Sequence, residues 1–208
     1  MPDTNLHPAH PAPVPDIEGD RIGMWLFLFT EVLLFGGLFL LYAVYFSRDP
    51  EAFHNGGKVL SRVMGTVNTV VLITSSLFVV LAVSALQKGK VALARYLLLG
   101  TVLAALVFLV IKYVEWTAKI EHGIYPNGPE FLLLPKGEML FFNLYYMMTG
   151  LHGLHVIIGA SLLTWVWWRM GTGQITAAKP VALENVGLYW HIVDLVWIYL
   201  FPLFYLVV

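Results

Sequence analysis

The sequence predicts an all-α, polytopic membrane protein, a bundle of five transmembrane helices behind a disordered N-terminal tail. Three observations predict it. Hydrophobic residues make up 59% and charged residues only 12% of the 208, with a mean hydropathy of +0.76, whereas roughly a quarter of a soluble domain is charged. Five apolar segments are each long enough to cross a hydrocarbon core of about 30 Å, which takes roughly 20 helical residues. Their apolar residues run on continuously and do not alternate with period two, so helices are expected and barrel strands are not. The composition also excludes function classes. Without cysteine this chain by itself makes no thiolate metal site, cysteine-held dinuclear copper, iron–sulfur cluster or disulfide. A net charge of −1, with basic residues scattered singly, leaves no electrostatic footprint for nucleic acid.

The tail, residues 1–21, opens MPDTNLHPAHPAPVPDIEGD, and its prolines and lack of an apolar run cannot offset the cost of ordering. It has neither the basic start nor the short apolar core of a signal peptide, so the first apolar segment is expected to stay in the mature protein. His7 and His10 within it read as solvated side chains. The first segment, residues 22–46, contains FLFTEVLLFGGLF with a single charged residue, Glu31, about 14 Å along the axis from Ile22 and close to the membrane midplane. An ionisable residue there costs a few kcal/mol and must face protein, water or a partner. Two readings stay open for Glu31, a buried carboxyl that makes one hydrogen bond and a carboxyl that handles protons.

The second segment, 63–86, offers Asn68, Thr69, Ser75 and Ser76 for hydrogen bonds between helices, worth about 0.6–2 kcal/mol each. The third, 91–118, places Lys112 and Glu115 at i,i+3, an expected ion pair near one end of the helix. The fourth, 139–168, contains TGLHGLHVIIG, which puts His152 and His155 on one face, with Gly150, Gly153 and Gly159 for close approach of another backbone. It ends at Trp165, Trp167 and Trp168 beside Arg169, an interfacial belt with a snorkelling arginine. The fifth, 181–208, contains ENVGLYWHIVDLVW, where Glu184, Gly187, His191 and Asp194 form a polar stripe. The stripes of the last two helices are expected to pair with each other, and both helices exceed the spanning minimum and should tilt.

Basic residues orient the bundle. Arg21, Lys88, Lys90, Arg95, Arg169 and Lys179 fall on one side, and the short loop QKGKVALAR among them places that side, with the N-terminus, in the cytoplasm and the C-terminus outside. His152, His155 and His191 on neighbouring helices could hold haem or copper. Histidines next to acids at helical spacing equally form a structural network, and that reading is preferred, so no metal ligand and no catalytic residue is assigned. A proton-coupled transporter is the alternative of another class, but no internal repeat or pair of proline-broken helices supports it.

GMWLFLFTEVLLFGGLFLLYAVYFS, NTVVLITSS, KYVEW, TGLHGLHVIIG and ENVGLYWHIVDLVWIYLF, in that order, closely resemble subunit III of the haem–copper oxidases, cytochrome c oxidase in particular. The resemblance covers Ile22 to the C-terminus. It implies a non-redox core subunit of a proton-pumping terminal oxidase in a bacterial cytoplasmic membrane. That subunit would pack mainly against subunit I, with subunit II nearby, bind phospholipid and support proton uptake, while haem and copper reside in the partner subunits and none in this chain. On this resemblance Glu31 takes the place of the carbodiimide-reactive intramembrane carboxylate. Glu115 takes the place of the glutamate in a Gln-x-x-Glu-Tyr pattern, and Lys112 stands where glutamine is usual. The long form of the family has seven helices, and the first pair, one arm of a lipid-holding cleft, has no counterpart here. Short forms also occur in quinol oxidases and in relatives linked to nitric oxide reductases, and the glutamate at position 31 favours the cytochrome c branch.

Overall fold

The computed structural model describes residues 17–206. Most of the expected tail, with His7 and His10, lies outside the described residues. The first helix, α1 (Ile17–Arg48), starts five residues before the expected boundary. Glu18 and Asp20 sit in its first turn, where the positive end of the helix dipole favours acids, and Arg21 is fastened to Glu184 at 2.9 Å. Residues 17–21 are therefore helix and not tail.

A short helix, α2 (Pro50–Lys58), follows, for which the sequence carries no apolar signal. Asp49 caps it by accepting a hydrogen bond from the Ala52 amide at 3.2 Å, and proline fills its first position, where a missing N–H costs nothing. It drives Phe53 into an aromatic cluster, edge-on to Tyr42 and Phe141 at 5.2 and 5.5 Å. Gly56 is needed there, since a Cβ would stand inside the Phe141 ring.

The remaining spans are α3 (Arg62–Gln87), α4 (Val91–Glu121), α5 (Lys136–Gly171) and α6 (Val181–Phe201). With α1 they make five helices long and apolar enough to cross a membrane. The hairpin between α3 and α4 turns at Gly89, whose φ of +73° suits glycine. Each helix runs up to a few residues beyond its apolar segment, because the ends continue into the polar boundary. The last span is the exception. Pro202 has no N–H to donate, α6 ends at Phe201, and a π-helical turn (Pro202–Leu206) follows.

Helices α3, α4, α5 and α6 form a ring in which each packs on the next and α6 closes on α3, with α1 leaning on α6 from outside and α2 on α5. The α3–α4 seam is built from small buried residues, Ala82, Ala94, Ala105, Ser75 and Thr101, the means by which helix backbones approach closely in lipid. Only 11% of the most apolar stretch of α1 is buried inside the protein, against 50% for the last span.

Candidate functional site

The polar side chains gather in three places. The first joins α1 to α5, where His155 Nε2 lies 2.8 Å from Glu31 Oε2, and His155 Nδ1 lies 2.8 Å from the Leu151 carbonyl oxygen. A carbonyl only accepts, so Nδ1 carries a hydrogen, and that fixes what the other nitrogen can do. The Nε2···Oε2 contact then needs one proton between its two atoms, either on the carboxyl of Glu31 or on a doubly protonated imidazole. The pair holds a single exchangeable proton in both cases. Phe35 lies against the imidazole edge at 5.2 Å and Tyr189 donates to the His155 carbonyl at 3.3 Å, fixing the ring in a largely apolar setting.

The second place is a buried ionic cage between α4, α5 and the π turn. Lys112 Nζ donates to Glu115 Oε2 at 2.8 Å, to Tyr205 at 2.9 Å and to Tyr145 at 3.1 Å, so its three N–H groups are matched. Tyr205 reaches both Glu115 oxygens at 2.9 and 2.8 Å, and Lys119 stands 3.6 Å from Oε1. Tyr205 is delivered by the turn at Pro202. Two ammonium groups therefore share one carboxylate, and all three side chains are under 10% exposed.

The third place is the α6 stripe, and here an expectation is corrected. The α5 and α6 stripes do not pair through their side chains. His191 Nδ1 lies 2.5 Å from the Ser76 hydroxyl on α3, and Glu184 binds Arg21 of α1 and accepts from Gln87 of α3 at 3.2 Å. The reason is rotational, since the 184–187–191–194 stripe faces α3 while Tyr189, Trp190 and Trp197 fill the α5 side. Trp190 also donates to Ser75 at 3.1 Å and Trp197 to Thr69 at 3.0 Å, tying α6 again to α3.

Two expected network members stand apart. His152 is fully buried between Phe108 and Trp197, ring centres 5.4 and 5.3 Å away, and neither nitrogen has a partner among the described residues. Asp194 is 3% exposed. Ser76 stands beside it and shares its hydroxyl with His191 Nδ1, and neither carboxyl oxygen has a hydrogen-bond partner besides that hydroxyl among the described residues. Of the glycines, Gly159 admits Trp190, whose ring a Cβ would approach to 2.7 Å, and Gly150 admits Trp116 at 3.1 Å. Gly153 meets nothing within 4 Å and borders an open groove. Sequence reasoning missed Tyr145, Tyr205 and Lys119 as cage members. The spacing of Lys112, Glu115 and Lys119 on one helical face was the available signal for the lysine. Among the described residues no group of three or more His, Asp or Glu side chains is arranged to hold a metal ion.

The family model described as cytochrome c oxidase subunit III matches residues 2–207. A heme-copper oxidase subunit I+III of Aeropyrum pernix is 33% identical over 195 residues, 90% of this chain, which spans only 22% of that longer protein. The cytochrome c oxidase subunit 3 of Thermostichus vulcanus is 33% identical across 89% of this chain and 86% of its own length. That of Corynebacterium diphtheriae is 30% identical across 89% and 87%.

Proposed function

The chain belongs to the cytochrome c oxidase subunit III family, and from that premise we propose that it is a non-redox core subunit which stabilises subunit I and supports proton uptake through the Glu31–His155 pair. The single observation that carries the proton role is the contact between Nε2 and Oε2, which requires one proton, on a stretch of α1 that the sequence puts near the membrane midplane. A fused subunit I+III among the relatives supports subunit I as the main neighbour. On this reading the haems and copper lie in partner subunits, electrons arrive from cytochrome c, with a quinol oxidase as the alternative complex, and this chain has no catalytic centre. Subunit II and phospholipid are further neighbours. The basic loops support a cytoplasmic N-terminus, and the resemblance to the family implies a bacterial inner membrane. The Lys112–Glu115 cage and the α3–α6 bonds hold the bundle in the shape that the partner meets.

Two experiments test the proposal. The tagged chain, gently solubilised, is expected to bring down a haem-containing subunit I, and the chain expressed alone is expected to show no Soret absorbance. Recovery of a pigmented or transport-competent chain without partners overturns it. Glu31→Gln preserves shape and a hydrogen-bond donor, so the complex should assemble while carbodiimide labelling at that position disappears. Labelling that persists would put the reactive carboxyl elsewhere, with Asp194 the first candidate.

A further inference from the structure

A groove of about 410 Å³ runs between α3 and α6. Gln87 and Glu184 stand at its mouth, at the end of α3 and the start of α6, with Ser84 and Gly187 along it and His191 at its inner end. Gly187 keeps it narrow and close to α3, since a Cβ there would stand 3.1 Å from Val79. One turn beyond His191, on the same face, is the Asp194 carboxyl. It lies about 15 Å deeper than Glu184 at roughly 1.5 Å per residue, half of a hydrocarbon core.

Asp194 is the anomaly that gives the groove a purpose. A buried carboxyl with no neighbour but a shared hydroxyl is costly, and such groups in proteins are met by ordered water, by a counter-charge or by a proton. The titratable groups on the elements packed around α6 supply no counter-charge, because Glu31 and His155 are committed to each other and His152 sits between aromatic rings. His191 on α6 meets the Ser76 hydroxyl of α3 through Nδ1, and that neutral hydroxyl brings no charge to the carboxyl beside it. His191 lines the inner end of the groove, and its Nδ1 meets the Ser76 hydroxyl that stands beside Asp194, so the hydroxyl links the groove to the carboxyl.

We infer that the α3–α6 groove admits water and protons from the Glu184 end to Asp194, making that carboxyl a second proton-binding site that His191 gates. The route is independent of the Glu31–His155 pair, which lies on the α1–α5 side. Protonation here is simple binding, in which a hydron arriving along the groove adds to one carboxylate oxygen and leaves by the same path.

The test is infrared spectroscopy of the purified complex containing the full chain, transferred from H2O to D2O. The wild type is expected to show a protonated-carboxyl band that shifts on transfer, is lost in Asp194→Asn and is kept in Glu31→Gln. Ser84→Leu, which fills the groove with a methyl-rich side chain far from the carboxyl, should keep the band and slow its exchange severalfold. A band that survives Asp194→Asn overturns the inference, as does the lack of an Asp194-dependent band at every pH. Exchange in Ser84→Leu as fast as in the wild type also overturns it, and this arm remains decisive if the Asn variant fails to assemble.

Discussion

The buried cage makes an asymmetric prediction about two neighbouring residues that a count of hydrogen bonds, three for each, would rank as equals. Lys112 has three bonds and Glu115 shares two contacts with Tyr205 besides its lysines. Glu115→Gln keeps the side-chain shape but leaves two ammonium groups, Lys112 and Lys119, facing each other without a carboxylate. Removing one partner of a buried ion pair costs about 3–5 kcal/mol, because the stranded charge keeps its desolvation penalty. Lys112→Gln does the opposite. Glu115 retains Lys119 at 3.6 Å and both Tyr205 contacts, and the cage goes from a surplus of positive charge to balance. The loss should be near the value of one hydrogen bond to a charged group, about 1.5 kcal/mol. For a chain of this length 1 kcal/mol moves the midpoint by about 2–4 °C. Glu115→Gln should therefore lower the thermal midpoint of the detergent-solubilised chain by roughly 10 °C, and Lys112→Gln by about 3–6 °C. The assay is a thermal series read by fluorescence-detected size exclusion. Equal midpoints, or a larger loss in Lys112→Gln, would refute the claim that unpaired charge governs this cluster.

Three further outcomes are expected, the first two in the same assay. Gly159→Val should destabilise by about 1–3 kcal/mol through overpacking against Trp190, a Cβ contact of 2.7 Å, whereas Gly153→Ala, with nothing within 4 Å, should stay within about 0.5 kcal/mol of wild type. His152→Phe should be neutral or stabilising, since both nitrogens of a fully buried ring lack partners and an apolar ring of similar shape removes that cost; a clear loss would reveal a partner the imidazole needs. Glu31→Leu should loosen α1 as seen by limited proteolysis of the α1–α2 corner, while Glu31→Gln should not.

Much of the fold was legible because it rests on length and apolarity, and five spans follow from the solvent alone. The residues of the polar sites were legible too, since Glu31, His155, Glu115 and Asp194 are conspicuous wherever they stand in an apolar helix. Their partners were not. Whether His155 meets α6 or α1 depends on how far α6 is rotated, and the large rings of Trp190 and Trp197 set that rotation by claiming the α5 side beside Gly159. Tyr205 enters the cage only because Pro202 shifts the last turn into π register, and periodicity reckoned at 3.6 residues misplaces anything beyond it. Helix α2 escaped for another reason. Its Pro and paired Gly read as loop chemistry, and capping by Asp49 and burial of Phe53 override that local preference.

The placement of the ties on α1 explains how Glu31 can both fasten the bundle and hold a proton. Apolar contact between helices gains little in lipid, where the tails are as greasy as leucine, so a peripheral helix depends on packing and on interhelical hydrogen bonds. Helix α1 buries little of its apolar stretch inside the protein. It is held at one end by Arg21 to Glu184 at 2.9 Å, at mid-height by Glu31 to His155 at 2.8 Å, and towards the other end by Tyr42, which donates to the Leu203 carbonyl at 2.6 Å. The middle tie is the one made between an imidazole and a carboxyl through a shared proton, and its bond survives whichever group carries that proton. The pair can therefore exchange its proton without releasing the helix, and a partner packed on the open face of α1 would meet the same surface throughout.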